Sequence, residues 1–157
     1  MRITTDVFIA PGLSLLEPRM DTPEARATLI AIGLQESRFQ HRHQIGGPAN
    51  GFWQFERGGI KAVLSHRATQ HHVINVCSSL WISPTEDACY KAVAYNDALA
   101  AAFARLMLWW LPGRLPKAGE AQMGWNQYIQ AWRPGKPHRG TWDAFFNTAW
   151  DTIRRTQ

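Results

Sequence analysis

Apolar positions along this chain recur mainly at helical spacing, and the pattern is clearest in DTPEARATLIAIGLQES, residues 21–37. Asp21 can cap a helix here, Pro23 suits its first turn, and Glu24 stands three residues after the cap. The same logic predicts a helix start at Ser83-Pro84-Thr85-Glu86, leading into one helix or two that run to Leu111 and re-nucleate at Asn96-Asp97. Pro112-Gly113 stops that segment, and a further helix is expected from Lys117 to Trp132. The last helix, Thr141 to Arg154, sets Trp142, Phe145, Phe146, Ala149, Trp150 and Ile153 on one stripe. Residues 1–20 read as an irregular or short-helical lead-in, and a short hairpin is expected near Gly51 to Phe55. The stretch between Glu56 and Ser83 yields no assigned element. The fold class expected is mainly α, a single domain over residues 1–157 with a small hairpin after the first long helix. No internal repeat or dividing linker is evident.

Composition narrows the classes of function. A hydrophobic fraction of 45% with 18% charged residues is that of a globular chain. The formal net charge of +5 implies an anionic partner. No basic run exceeds two residues and no recognition motif stands out, so nucleic acid is not expected. The most apolar run, Ala98 to Leu111, is too short for a membrane span and contains Arg105. Asp6, Pro11 and Gly12 break up the N-terminal apolar residues, so no secretion signal is expected. Cys77 and Cys89 are too few for a disulfide framework and read as reduced, partly buried thiols.

The chemistry concentrates in QESRFQHRHQIGGPANGFWQFE, residues 35–56. Glu36 follows Leu29, Ile32 and Gly33 on one helical face, so its carboxyl group faces apolar surroundings. Lost hydration disfavours the charged form and raises the pKa, as a general acid near neutral pH requires. Gly33, one turn back, is expected to leave open space for a ligand. No other acid occurs before Glu56, which is therefore the candidate second acid.

These residues resemble the soluble lytic transglycosylase and goose-type lysozyme group of the lysozyme-like superfamily. The resemblance covers about residues 22–135. It is carried by Glu36-Ser37, by Phe39, and by Ala49-Asn50-Gly51-Phe52-Trp53-Gln54, with Gln54 eighteen residues after Glu36. Pro48 stands where the group has its first glycine, and Phe52-Trp53 where it has Leu-Met. For the group's later Tyr-Asn pair there are two matches, Tyr95-Asn96 and Trp125-Asn126. The second is preferred on order, with Tyr128 one turn on.

The resemblance implies a lysozyme-like fold that cleaves the MurNAc–GlcNAc bond of peptidoglycan with Glu36 as acid and then base. The substrate's own C6 hydroxyl would close a 1,6-anhydro ring. Ser37, Gly51, Phe52, Trp53, Gln54, Trp125, Asn126 and Tyr128 are the expected substrate-binding residues. Trp53 is divided between sugar stacking and the core, whereas Trp109 and Trp110 are assigned to the core. His41, His43, His71 and His72 show no third ligand at a recognisable spacing, so neither metal nor cofactor is expected. The expected partners are peptidoglycan strands and other virion proteins, for a phage-encoded protein acting at the bacterial cell wall. A two-carboxylate muramidase and a non-catalytic virion adaptor are the alternatives.

Overall fold

The structure, a computed structural model, describes residues 4–156. It is mainly α, and among the described residues there is no strand. Met1–Ile3, part of the expected lead-in, and Gln157 lie outside the described residues. A π-helical segment, Thr4–Ile9, leads into α1 (Ala10–Leu13) and a 3-10 turn, Pro18–Met20. Then follow α2 (Pro23–Ser37), α3 (Arg57–Ser65), α4 (Gln70–Ser79), α5 (Glu86–Ala92), α6 (Asp97–Trp109), α7 (Ala121–Trp132) and α8 (Arg139–Thr156).

The helix starts fall close to the expected places, with different capping residues. Thr22, not Asp21, caps α2, its hydroxyl accepting from the Ala25 amide at 3.1 Å. Pro23 at the first helical position assigns the cap to its immediate neighbour. Asp21 instead accepts both guanidinium contacts of Arg26, at 2.7 and 2.8 Å. Likewise Thr85 caps α5, leaving Ser83 and Pro84 outside it. Asn96 does re-nucleate the chain, its side-chain oxygen accepting from Leu99 at 3.0 Å and separating α5 from α6. The expected start of α7 at Lys117 moves to Ala121. Glu120 there accepts the Lys117 amide and both ends of Arg114, holding residues 114–120 as a clamped loop.

Residues 27–34 of α2 are buried all round, so this helix has no solvent face along most of its length. Its charged residues stand at the two ends, and the one polar residue within the buried stretch, Thr28, donates its hydroxyl back to the Glu24 carbonyl at 2.7 Å. α6 is buried from Leu99 to Leu108, Arg105 included. Along α8, Trp142, Phe146, Ala149 and Ile153 are buried, with Phe145 and Trp150 half-buried beside them, as the stripe predicts. Trp109 and Trp110 are half-buried, not interior. Arg19 lies over Trp109 and His66 stacks on Trp110.

Where a hairpin was expected, the chain makes two isolated antiparallel bridges, His43 with Asn50 and Asn50 with Phe55. Asn50 and Phe55 exchange both backbone bonds, at 2.9 and 2.8 Å. A single residue pair is too short to be a ladder; side chains hold this loop instead. Cys77 and Cys89 are free, fully buried thiols with sulfurs 3.7 Å apart. Among the described residues no helix is long and apolar enough to cross a membrane.

Candidate active site

Glu36 occupies the last turn of α2, where the helix ends abruptly. Arg38 and Phe39 both adopt the left-handed conformation, at φ 54° and 55°. Such residues cost of order 1–3 kcal/mol each and persist only where their surroundings fix them. Ser37 supplies that fixing. Its hydroxyl donates to the Phe52 carbonyl at 2.6 Å and accepts from the Phe39 amide at 3.1 Å. The reversal sends the Phe39 ring back over Gly33, where a Cβ would lie 2.1 Å from a ring atom. The space beside Gly33 is therefore filled by Phe39, not open to a ligand as expected.

The following loop is anchored on three sides. Arg42 clamps Asp97 at 2.5 and 2.9 Å and lies 4.3 Å from the Phe52 ring centroid. Gly51 sits at φ 79°, and a Cβ there would come within 2.4 Å of the Val93 carbonyl oxygen. Only glycine meets both conditions at once. Trp53 is fully buried, donating its indole N–H to the Leu29 carbonyl of α2 at 2.9 Å. Trp132 of α7 in turn donates to the Trp53 carbonyl at 2.8 Å. Two indoles thus pin the loop between α2 and α7.

α7 brings Tyr128 to Glu36. The tyrosine, 3% exposed, donates its hydroxyl to Glu36 Oε1 at 2.5 Å. Burial pushes the Glu36 carboxyl up to about 7, against the Tyr128 hydrogen bond, which favours the ionised form; the negative charge of Glu56 adds to the rise. The Tyr128 hydroxyl is itself pushed well above its ordinary range by burial and by the facing carboxylate, so it remains a donor. With Oε1 taken, Oε2 is the oxygen that carries the exchangeable proton. A carboxyl group that titrates near 7 with one free oxygen can both give and take a proton near neutral pH.

The remaining sequence-predicted residues divide clearly. Ser37, Gly51, Phe52 and Trp53 are buried and shape the site from behind; none offers a face to a sugar. Of the two roles weighed for Trp53, stacking does not fit its burial and the core does; Phe52, expected to bind substrate, packs instead on Phe8 and Phe39. Gln54 is half-buried at φ 52°, its amide donating to the Gly51 carbonyl at 3.0 Å. Trp125 is half-buried beside Tyr128 and Trp142, with Arg139 over its ring. Asn126 is exposed and accepts from Gln122 at 2.9 Å. Glu56 is exposed at the start of α3. Of the two aromatic-Asn pairs, Tyr95-Asn96 is used elsewhere: Tyr95 bonds His43, and Asn96 caps α6.

Sequence reasoning missed the contribution of α8. Gln35 donates to the His138 carbonyl at 2.9 Å and accepts from the Thr141 hydroxyl at 2.9 Å, tying the end of α2 to the start of α8. The pairing spans more than a hundred residues and leaves no local signal. The third ligand that no spacing offered to His71 and His72 also comes from afar: Glu17, His71 and His72 each place one donor atom within 4.8 Å of the others. Arg19 holds the other oxygen of Glu17 at 2.6 Å. Comparison with protein-family models, curated protein sequences and solved structures gave no match.

Proposed function

We propose that the protein cleaves peptidoglycan glycan strands as a lytic transglycosylase on a lysozyme-like fold, with Glu36 as its acid and base. The observation that carries this reading is the half-buried Glu36 carboxyl, pushed up to about 7 by lost hydration and held at one oxygen by Tyr128. In the first half of the reaction Glu36 Oε2 gives its proton to the glycosidic oxygen as the bond from the anomeric carbon breaks. In the second, the carboxylate takes the proton of the muramic C6 hydroxyl as that oxygen bonds to the anomeric carbon. Water is not consumed, and Glu36 ends protonated as it began. Tyr128 lowers the cost of the ionised state between the two halves, since a hydroxyl donating to a carboxylate stabilises the anion. Trp125 and the exposed Asn126 are the sugar contacts that best fit this reading, with Gln54 supporting the loop beside them.

A muramidase is the second reading, favoured by the proximity of Glu56, whose charge raises Glu36. Two carboxylates flanking the bond would let one of them serve a hydrolytic mechanism. Digestion of purified sacculi followed by mass spectrometry of the sugar ends separates the two. Anhydromuramyl ends are expected. Reducing ends that vanish in Glu56→Gln would establish hydrolysis instead, and no soluble fragments at all would leave a binding protein without catalysis.

A further inference from the structure

At the opposite end of α2 lies a cavity of about 440 Å³, between the start of that helix, the end of α6 and the 111–117 link. Arg105 lines it and is only 4% exposed. Its Nε donates to the Met20 carbonyl at 2.7 Å, and its guanidinium lies 5.0 Å from the Trp109 ring centroid. Among the described residues no carboxylate bonds its terminal nitrogens. Asp21 acts on it only at a distance, being held by Arg26. Gln127, 8% exposed, lines the same cavity. Its amide nitrogen donates to the Arg114 carbonyl at 2.8 Å, which leaves Oε1 buried without a donor. Buried polar groups are ordinarily paired, so two incomplete ones around one cavity ask for a ligand. Trp109 and Leu111 give that cavity an apolar wall, while exposed Lys117, exposed Arg114 (paired with Glu120) and half-buried Glu24 contribute charges at its edge.

We propose that this cavity binds the free carboxyl terminus of a peptide, with the carboxylate on Arg105, the last amide N–H toward Gln127 Oε1, and the terminal side chain against Trp109 and Leu111. A guanidinium offers paired N–H donors that fit a carboxylate. An inorganic phosphate fits less well, because it is all acceptor where Gln127 needs a donor, and Glu24 repels a second negative charge. A peptide end presents acceptor and donor side by side. The inference does not rest on the glycan-cleavage reading. Peptidoglycan stem peptides and the C-termini of partner proteins share this chemistry.

The test is calorimetric titration with N-acetyl-D-alanyl-D-alanine and N-acetyl-L-alanyl-L-leucine, each also as its C-terminal amide. Saturable binding of at least one acid with a Kd on the order of 1 mM or tighter is expected for a ligand of this size. Its amide should bind at least about tenfold more weakly, as should the acid to Arg105→Met. Preference for the D,D peptide would identify the stem-peptide source, and preference for the L,L peptide a protein terminus. Absence of saturable heat up to about 10 mM, where a site with a Kd of about 1 mM would be about nine-tenths filled, or equal affinity for acid and amide, would overturn the proposal. Equal binding of inorganic phosphate would reduce the cavity to a simple anion site and overturn it too. The acid–amide comparison on the unaltered protein stands even if Arg105→Met does not fold, and Glu36→Gln should bind like wild type.

Discussion

Beside the two ends of α2 lie two desolvated ionisable groups, half-buried Glu36 of its own last turn and buried Arg105 of α6, and they respond to burial in opposite ways. Glu36, pushed up to about 7, can escape its lost hydration by holding a proton at neutral pH. Arg105 is pushed down by the same cause, yet only to about 10, so it stays charged under the same conditions. One end of the helix is thus poised for proton transfer and the other for a lasting electrostatic contact. Desolvation by itself does not determine what a residue does; the distance between the shifted pKa and the working pH does.

The largest effect should come from Glu36→Gln, which removes the transferable proton while nearly preserving shape. Glycan cleavage should fall by about 10²–10⁴, measured by release of soluble fragments from sacculi, and equal activity would remove Glu36 from the chemistry. The same substitution tests the pKa through stability. Because the folded value lies above the ordinary 4.5, the stability from this group is full below that pH and declines as pH rises through about 7. Denaturant unfolding of wild type should therefore lose as much as about 3 kcal/mol between acid and mildly basic pH that Glu36→Gln does not lose. Parallel pH profiles of the two proteins would mean that Glu36 is not buried as described.

Gly51→Ala should follow, destabilising by about 2 kcal/mol through the left-handed backbone and the approach to Val93; an unchanged unfolding midpoint would show the loop to be free to move. Gln54→Ala removes a bond that supports the loop without touching the carboxyl, so activity should drop about tenfold or less. At the other end of the helix the expected effect is none at all. Binding of a peptide acid should be flat between about pH 6 and 8 because Arg105 keeps its charge, and a transition in that window would assign the binding to another group.

How far the sequence was legible follows from the range of each interaction. Helix starts were readable to within a few residues because caps and prolines act locally, and α8 was readable because its stripe is long. α3 and α4 were not. α3 opens on Gly58-Gly59 with no side-chain cap, and α4 carries β-branched Val73, Ile74 and Val76. Burial of Ile60, Val63, Val73 and Val76 in the core offsets these weak propensities. At the candidate site, the burial of Glu36 was visible in its apolar stripe, and Tyr128 stood one turn beyond Trp125. The Ser37 clamp, the Phe39 ring in the Gly33 gap and the interior position of Trp53 depend on chain reversals with no periodic signature. Arg105 carried a signal, a lone guanidinium in an apolar run, but only the fold reveals the cavity beside it.

The bond between Tyr128 and Glu36 joins residues 92 positions apart. During synthesis α2 is made long before α7, so a nascent chain that ends short of Tyr128 carries Glu36 without this partner. The carboxyl acquires its final environment only once α7 brings Tyr128 to it and the start of α8 is tied to the end of α2. Until then it is closer to an ordinary hydrated glutamate, ionised at neutral pH. The acid is completed by the C-terminal part of the chain, and its pKa reports whether that part has found its place.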